Sequence, residues 1–209
     1  MLEPPRAYAP DCTCAERLVV RINNGWSGMS AGHDNLTLVV GGAASGKSSY
    51  AETLVHHSRA RRRFYLAPAV AFDTEMEQKI AAHRRARGSG WTTIEEPTEI
   101  RPVIADLRPG DILLFDCATV WLSNLVLADR DLEEEQTALV RTLTKARAPV
   151  VIVSNEVGSG IVPQNPMARR FREAQGRLNR RLAAEAALVV AVMAGLPLTL
   201  KGELPAIDR

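Results

Sequence analysis

The stretch LTLVVGGAASGKSSY, residues 36–50, joins an apolar run to a glycine-rich turn and then to a helical pattern. Within it, residues 41–48 match the pattern G-x4-G-K-[ST] of a phosphate-binding loop. Glycines allow positive φ and let backbone N–H groups approach phosphate oxygens, while the following helix presents its N-terminal dipole to the anion. The stretch therefore predicts a strand, a phosphate loop and a helix that begins at about Lys47, and with them a nucleotide site.

The residues of this loop have separate expected roles. Lys47 is expected to bridge the β- and γ-phosphates and to act in catalysis, and the Ser48 hydroxyl is expected to bind Mg²⁺. Asp116 follows the apolar run ILLF, where a second metal-binding acid is expected, although an Asp there also caps helices. The predicted nucleotide-binding residues of the loop are Gly41, Gly42, Ala43, Ala44, Ser45, Gly46, Lys47 and Ser48.

From Leu36 onward, short apolar runs alternate with helical patterns. Strands are predicted at 36–40, 64–69, 91–97, 111–117, 149–155, 187–195 and 197–201, and helices at about 47–61, 73–87, 118–127, 131–146 and 166–187. Buried strands rich in Val, Ile and Leu, separated by helices, are typical of a mostly parallel sheet covered on both faces. The predicted fold is three-layer α/β, P-loop NTPase-like (RecA-like), in one domain over residues 36–209.

The composition favours a single cytoplasmic domain. Lys and Arg (26) nearly balance Asp and Glu (24), so charge predicts no nucleic-acid binding, and Arg61–Arg63 is interpreted as a solvated helix end. The chain contains neither an apolar run of about 18 residues nor a secretion signal. Three cysteines form no disulfide framework, and His33, His56 and His57 are interpreted as surface residues. Residues 1–35 predict an irregular leader, and one hypothesis is that translation starts at Met29.

Residues 72–91, FDTEMEQKIAAHRRARGSGW, carry a histidine on an apolar helix stripe. Phe72, Met76, Ile80 and His83 share that stripe, so His83 is expected to face inward. Neighbouring arginines favour the neutral imidazole, which is a competent nucleophile toward phosphorus. Periodicity alone leaves a catalytic histidine and a packed core histidine both open.

Residues 154–183, SNEVGSGIVPQNPMARRFREAQGRLNRRLA, begin at the carboxyl end of a predicted buried strand, where open α/β sheets place their ligand loops. Gly158, Gly160 and Pro163 suggest a shaped loop, and Arg169, Arg170 and Arg172 follow on a helix. A plain surface loop followed by a basic helix face is the alternative.

Five stretches, spread over about residues 36–202, together resemble the bifunctional adenosylcobinamide kinases and adenosylcobinamide-phosphate guanylyltransferases of cobalamin biosynthesis. They are GGAASGKSSYAE, FYLAPA, DTEMEQKIAAHRRARGSGW, LLFDCATVWLSNL and the 154–183 segment. The resemblance implies phosphorylation of adenosylcobinamide with ATP or GTP. It also implies transfer of GMP from GTP to adenosylcobinamide-phosphate through a GMP-histidine on His83.

The resemblance further implies nucleotide contacts outside the phosphate loop, at Ala67, Pro68, Ala69, Arg84, Arg85, Ala86, Arg87, Glu95 and Asp116. It implies a homo-oligomer, trimeric in well-known members. Two other hypotheses stay open from the residues: a plain P-loop small-molecule kinase in which His83 only packs, and a non-catalytic nucleotide-binding switch.

Overall fold

The structure, a computed structural model of the 209-residue chain, describes residues 35–69 and 88–205. The strands within these residues are Leu36–Gly41 (β1), Arg62–Ala67 (β2), Trp91–Glu95 (β3), Asp111–Asp116 (β4), Val150–Asn155 (β5), Leu188–Met193 (β6) and Leu196–Lys201 (β7). The helices are Lys47–His56 (α1), Ile100–Ala105 (α2), Ala118–Leu127 (α3), Leu132–Leu143 (α4) and Pro166–Glu185 (α5). The predicted helix 73–87 and nearly all of the leader lie outside the described residues.

The strands form one sheet in the order β3-β2-β4-β5-β1-β6-β7. Every pairing is parallel except that of β6 with β7, which is antiparallel. The side chains of β4 alternate between two cores: Leu113 and Phe115 pack with α2 to α5 on one face, and Ile112 and Leu114 pack with α1 on the other. Both faces are therefore covered, which confirms the predicted three-layer α/β fold with a mostly parallel sheet.

The Arg61–Arg63 interpretation is wrong, because this run leads into β2 and is not part of a helix. α1 ends at His56 instead of the expected residue 61, and the backbone N–H of Arg61 donates to the Gly110 carbonyl at 2.8 Å. Arg62 then starts β2 beside Asp111, the first residue of β4. A contact between residues that are distant in sequence therefore ends α1 earlier than the local periodicity predicts.

Other differences concern helix ends and one unpredicted helix. α2 was not predicted; it buries Ile100 and Ile104, one turn apart, against the sheet. Asp131 is the N-cap of α4 and not its first residue, because its carboxylate accepts from the N–H of Glu133 at 2.9 Å. α5 ends at Glu185, two residues earlier than expected.

Asp111 anchors the amino-terminal ends of β2 and β4. Arg62 donates to both of its carboxylate oxygens, at 2.7 and 2.9 Å, and the Arg108 N–H donates at 2.8 Å. Burial alone raises the pKa of the Asp111 carboxyl, but the hydrogen bonds from Arg62 and Arg108 and their charges together hold it below its ordinary value of 3.8. The ionised carboxylate is therefore the form that the fold prefers.

Asp111→Asn is expected to destabilise the protein at pH 7 by about 1–2 kcal/mol, since Arg62 is half exposed and its pairing is screened. A lowered folded-state pKa contributes stability that is present above 3.8 and is lost as the pH falls through that lower pKa. The difference between variant and wild type should therefore shrink in acid. Urea unfolding at several pH values measures it, with the exposed Asp106→Asn as control. An equal difference at all pH values would contradict the ion-pair account.

Candidate active site

The phosphate loop connects β1 to α1 as predicted, and two glycines in it are required by geometry. A Cβ atom on Gly41 would lie 2.5 Å from both the Ser45 Oγ and the Val192 carbonyl oxygen. Gly46 has a φ of 91° and directly precedes Lys47, the first residue of α1. The loop is therefore drawn tightly over the ends of β1 and β6.

The turn between β6 and β7 packs against the phosphate loop. The Gly195 N–H donates to the Ser45 carbonyl at 2.9 Å, and a Cβ on Gly46 would lie 3.3 Å from the Gly195 Cα. The turn residues Ala194 and Gly195 both have positive φ, which matches the twist of a tight hairpin. An antiparallel hairpin, not predicted as part of the site, therefore fixes the back of the phosphate loop.

Lys47 is 8% exposed, and its ammonium group donates to the Gly42 carbonyl at 3.0 Å. Ser45 Oγ is buried without a hydrogen-bond partner among the described residues. A buried cation, a free hydroxyl and the first N–H groups of α1 converge here, and each of them stabilises an anion. The loop is thus built as an anion site.

Asp116 ends β4, on the far side of β5 from the phosphate loop. Its carboxylate accepts a hydrogen bond from the Tyr65 hydroxyl at 3.1 Å. The Tyr65 ring lies edge-on to Trp91, with 6.1 Å between ring centroids. Tyr65 was not predicted as a site residue, because its role depends on two strands that are adjacent in the sheet but distant in sequence.

The electrostatics around Cys117 show that Asp116 and Lys47 share one region. Burial raises the pKa of the Cys117 thiol, the Asp116 charge raises it further, and backbone N–H groups and the Lys47 charge oppose the rise. Among the described residues, no three His, Cys, Asp or Glu side chains form a metal site. The two residues predicted to bind the metal, Ser48 at the start of α1 and Asp116 at the end of β4, both carry oxygen ligands. That set suits Mg²⁺, which usually keeps several waters and substrate phosphate oxygens.

The end of β5 is fixed by bonds to its neighbours. Asn155 donates its N–H to Thr119 Oγ1 at 2.8 Å and accepts at its carbonyl from Asn179 Nδ2 at 3.0 Å. The Glu156 N–H donates to the Gly41 carbonyl at 2.9 Å. Asn155 Oδ1 is buried without a hydrogen-bond partner among the described residues, which is unusual for a buried polar atom. Sequence reasoning did not single out Asn155, although the NEVG segment pointed to its loop.

The structure does not bring every predicted nucleotide contact next to the phosphate loop. Ala67 ends β2, three strands from β1, which is about 14 Å across the sheet. Glu95 is exposed at the end of β3, four strands or about 19 Å away. Asn124 Nδ2 donates to the carbonyls of Pro68 and Pro97, at 2.8 and 3.0 Å, and so ties the ends of β2 and β3 to α3.

Residues 37–200 match the model of the cobinamide kinase / cobinamide phosphate guanyltransferase family. The chain belongs to this family. A bifunctional adenosylcobalamin biosynthesis protein, CobP of Pseudomonas aeruginosa, is 40% identical over 169 residues, which cover 79% of this chain and 97% of the relative. CobU of Salmonella typhimurium, which carries the same description, is 37% identical over 182 residues, which cover 79% and 99%.

Two solved structures that are similar to this family member share little sequence with it. The flagellar accessory protein FlaH from Methanocaldococcus jannaschii covers 84% of this chain and 82% of its own, with a TM-score of 0.43 and 12% identity. The RadB recombinase covers 78% and 76%, with a TM-score of 0.39 and 20% identity.

Family membership confirms the predicted assignment to a bifunctional kinase and guanylyltransferase of cobalamin biosynthesis. His83, Arg84, Arg85, Ala86 and Arg87 lie outside the described residues, so their roles stay predictions. His56 and His57 are exposed, as predicted. No described helix combines the length and apolar character that a membrane crossing needs.

Proposed function

We propose that the loop 41–48 binds the phosphates of GTP or ATP and directs the γ-phosphoryl group to the hydroxyl of adenosylcobinamide. Phosphoryl transfer asks mainly for positioning and for neutralisation of charge. Lys47 supplies a buried cation with only a carbonyl partner among the described residues, and α1 supplies its N-terminus. The observation that carries the proposal is the buried Lys47 of the phosphate loop, in a chain of the family whose β4, two strands from β1, ends in Asp116.

Ser48 and Asp116 are the residues that would hold Mg²⁺ in this site. When bound, the ion supplies charge neutralisation to the phosphate oxygens. Asp116 suits this task because Tyr65 orients one of its carboxylate oxygens and leaves the other for a ligand.

Tyr65→Phe keeps the aromatic ring beside Trp91 but removes the hydrogen bond that orients Asp116. We expect the Mg²⁺ concentration for half-maximal kinase activity to rise about tenfold, as for the loss of a residue that supports a metal ligand. The maximal rate at saturating Mg²⁺ should change much less. Tyr50→Phe is the matched control, because it removes a tyrosine hydroxyl from α1, whereas the hydroxyl that bonds to Asp116 is that of Tyr65. Equal Mg²⁺ dependence in all three proteins would contradict the role of Tyr65.

For the second activity we propose that His83 is the nucleophile. The imidazole nitrogen attacks the α-phosphorus of GTP, forming an N–P bond as the bond to the β-phosphate oxygen breaks and pyrophosphate leaves. A phosphate oxygen of adenosylcobinamide-phosphate then attacks the same phosphorus, and the imidazole leaves. Two easier displacements replace one difficult transfer. Arg84, Arg85, Ala86, Arg87 and Glu95 are proposed to contact the nucleotide, as are Ala67, Pro68 and Ala69.

A kinase without the transferase activity is the competing function, and it predicts that no covalent adduct forms. Incubation of the protein with GTP labelled on the α-phosphate, followed by peptide mapping, tests the transferase activity against this competitor. We expect an acid-labile, base-stable label on the peptide that contains His83. A folded protein that binds GTP and takes up no label would remove the transferase mechanism and leave the kinase.

We also propose that the enzyme works in the cytoplasm as a homo-oligomer, the trimer being the form that the resemblance implies. The support is the edge strand β7, which exposes Leu196, Leu198 and Leu200 at alternate positions and so on one face. Contiguous exposed apolar side chains commonly mark contact surfaces between protein chains.

A further inference from the structure

The substrate of the family carries a large macrocycle. The phosphate loop provides a binding site for the nucleotide but none for this macrocycle. A corrinoid must place its reactive oxygen within about 3–3.5 Å of the phosphorus, which leaves the ring system beyond the carboxyl edge of the sheet. Among the described connections at that edge, residues 156–165 between β5 and α5 form the longest. The β6–β7 turn consists of two residues and is already packed under the phosphate loop.

This connection is held in shape by its own polar contacts. The Gly158 N–H donates to Glu156 Oε1, and Arg172 Nη2 donates to the Gly158 carbonyl. Arg169 Nη1 donates to the carbonyls of Pro163 and Gln164, at 3.0 and 2.5 Å. Two arginines of α5 thus fasten both halves of the loop, so that it offers a formed surface.

The same loop presents apolar side chains outward. Ile161 is 97% exposed and Val162 is 64% exposed, and Met167 is exposed in the first turn of α5. The segment starts at Glu156, whose N–H is bonded to Gly41 of the phosphate loop. Ile161 is five residues further on, so it lies at most about 18 Å from that point. The segment therefore begins at the phosphate loop and exposes its apolar side chains a few residues further along.

Arg172, which fastens this loop, also holds an unpaired polar atom. Its Nη2 is used by the loop, whereas its Nη1 is buried without a partner among the described residues. Buried donors are normally satisfied, so an unpaired guanidinium nitrogen indicates a missing acceptor. The amide oxygens around a corrin ring are acceptors of the right kind, and the ring itself offers a broad apolar face.

We propose that the segment 156–167, here called the corrinoid platform, binds the macrocycle of the substrate. Ile161 and Val162 contact the ring face, and Arg172 Nη1 donates to an amide oxygen on its rim. The proposal rests on the placement of the nucleotide in the phosphate loop. The segment begins beside that loop at the carboxyl edge of the sheet, whereas β7 runs antiparallel and leads away from that edge. It assigns to the loop a role separate from nucleotide binding.

The test is a double variant, Ile161→Asp with Val162→Asp, against the control Leu127→Asp. Leu127 is 68% exposed and is the last residue of α3, which starts at the carboxyl edge and so ends away from it. The dissociation constant for adenosylcobinamide should rise at least about tenfold in the double variant, because two branched side chains lose their apolar contacts. The control should bind as the wild type does.

Two further measurements on the same proteins separate this proposal from the others. Labelling by α-labelled GTP and sedimentation should be unchanged in the double variant, because the platform serves neither the nucleotide nor a subunit contact. Unweakened corrinoid binding would overturn the platform while leaving the nucleotide proposal intact. A changed oligomeric state would overturn it by showing that Ile161 and Val162 lie between subunits. Absence of GMP label from the wild type would count against the His83 mechanism alone.

Discussion

His83→Ala is expected to abolish the covalent GMP label and to reduce guanylyl transfer by at least about 10³-fold, because no other group takes over the covalent step. Phosphorylation of adenosylcobinamide should survive within a few-fold, since that transfer passes directly from nucleotide to hydroxyl. The experiment measures both activities on one preparation, with GTP labelled either on the α- or on the γ-phosphate. A selective loss is the signature of a nucleophile.

The matched control is His57→Ala. His57 is exposed, and its Nδ1 lies 2.9 Å from the Thr53 carbonyl at the end of α1, away from the phosphate loop. This variant should keep both activities and the label. If His83→Ala still took up label, the nucleophile would be a different residue. If both activities fell together, His83 would act through folding or nucleotide binding.

Lys47→Met is expected to reduce both activities, each by about 10²–10³-fold, the loss typical of one group that stabilises transition-state charge. The stability of the folded protein should not decrease, because the ammonium group is buried and its described partner is only the Gly42 carbonyl. Removing a buried cation without a described ion-pair partner relieves a desolvation penalty. The melting temperature without nucleotide should therefore be unchanged or higher.

Thermal unfolding with and without GTP distinguishes a role of Lys47 in phosphate binding from a role in the stability of the fold. Ligand binding stabilises the native state by RT ln(1 + [L]/Kd). Because Lys47→Met is expected to bind the phosphates more weakly, it should lose most of the stabilisation by GTP. Lys145→Ala, at an exposed position after α4, should keep both its activity and its response to GTP. A Lys47→Met protein that melts well below the wild type would show that Lys47 supports the fold. Full stabilisation by GTP would show that it does not bind the phosphates.

The phosphate loop and the strands beside it could be predicted because their signals are local. Residues 41–48 carry a motif whose glycines and lysine have fixed positions in the chain, and in the structure they run from the last residue of β1 into the first turn of α1. Buried strands such as β4 and β5 are continuous apolar runs, typical of a parallel sheet covered on both faces. Asp116 was predicted for the same reason, as a polar residue directly after such a run.

Helix ends and supporting residues could not be predicted in the same way. α1 ends at His56 and β2 begins at Arg62 because Gly110 and Asp111 lie beside that turn in space. Tyr65 orients Asp116 from a neighbouring strand, and Gly195 supports the phosphate loop from a hairpin about 150 residues later in the chain. Each of these roles is a contact between distant segments, to which no local pattern corresponds.

By itself the sequence determined the fold class, the phosphate loop and the family, because periodicity and motif spacing depend on neighbours along the chain. Only the tertiary structure decided what surrounds the loop: the hydrogen bond from Tyr65 to Asp116, the unpaired oxygen of Asn155, and the apolar surface of Ile161 and Val162. The order of strands in the sheet, with β5 between β1 and β4, sets these distances. That order is fixed by packing of the two cores, so it becomes visible only when the chain is folded.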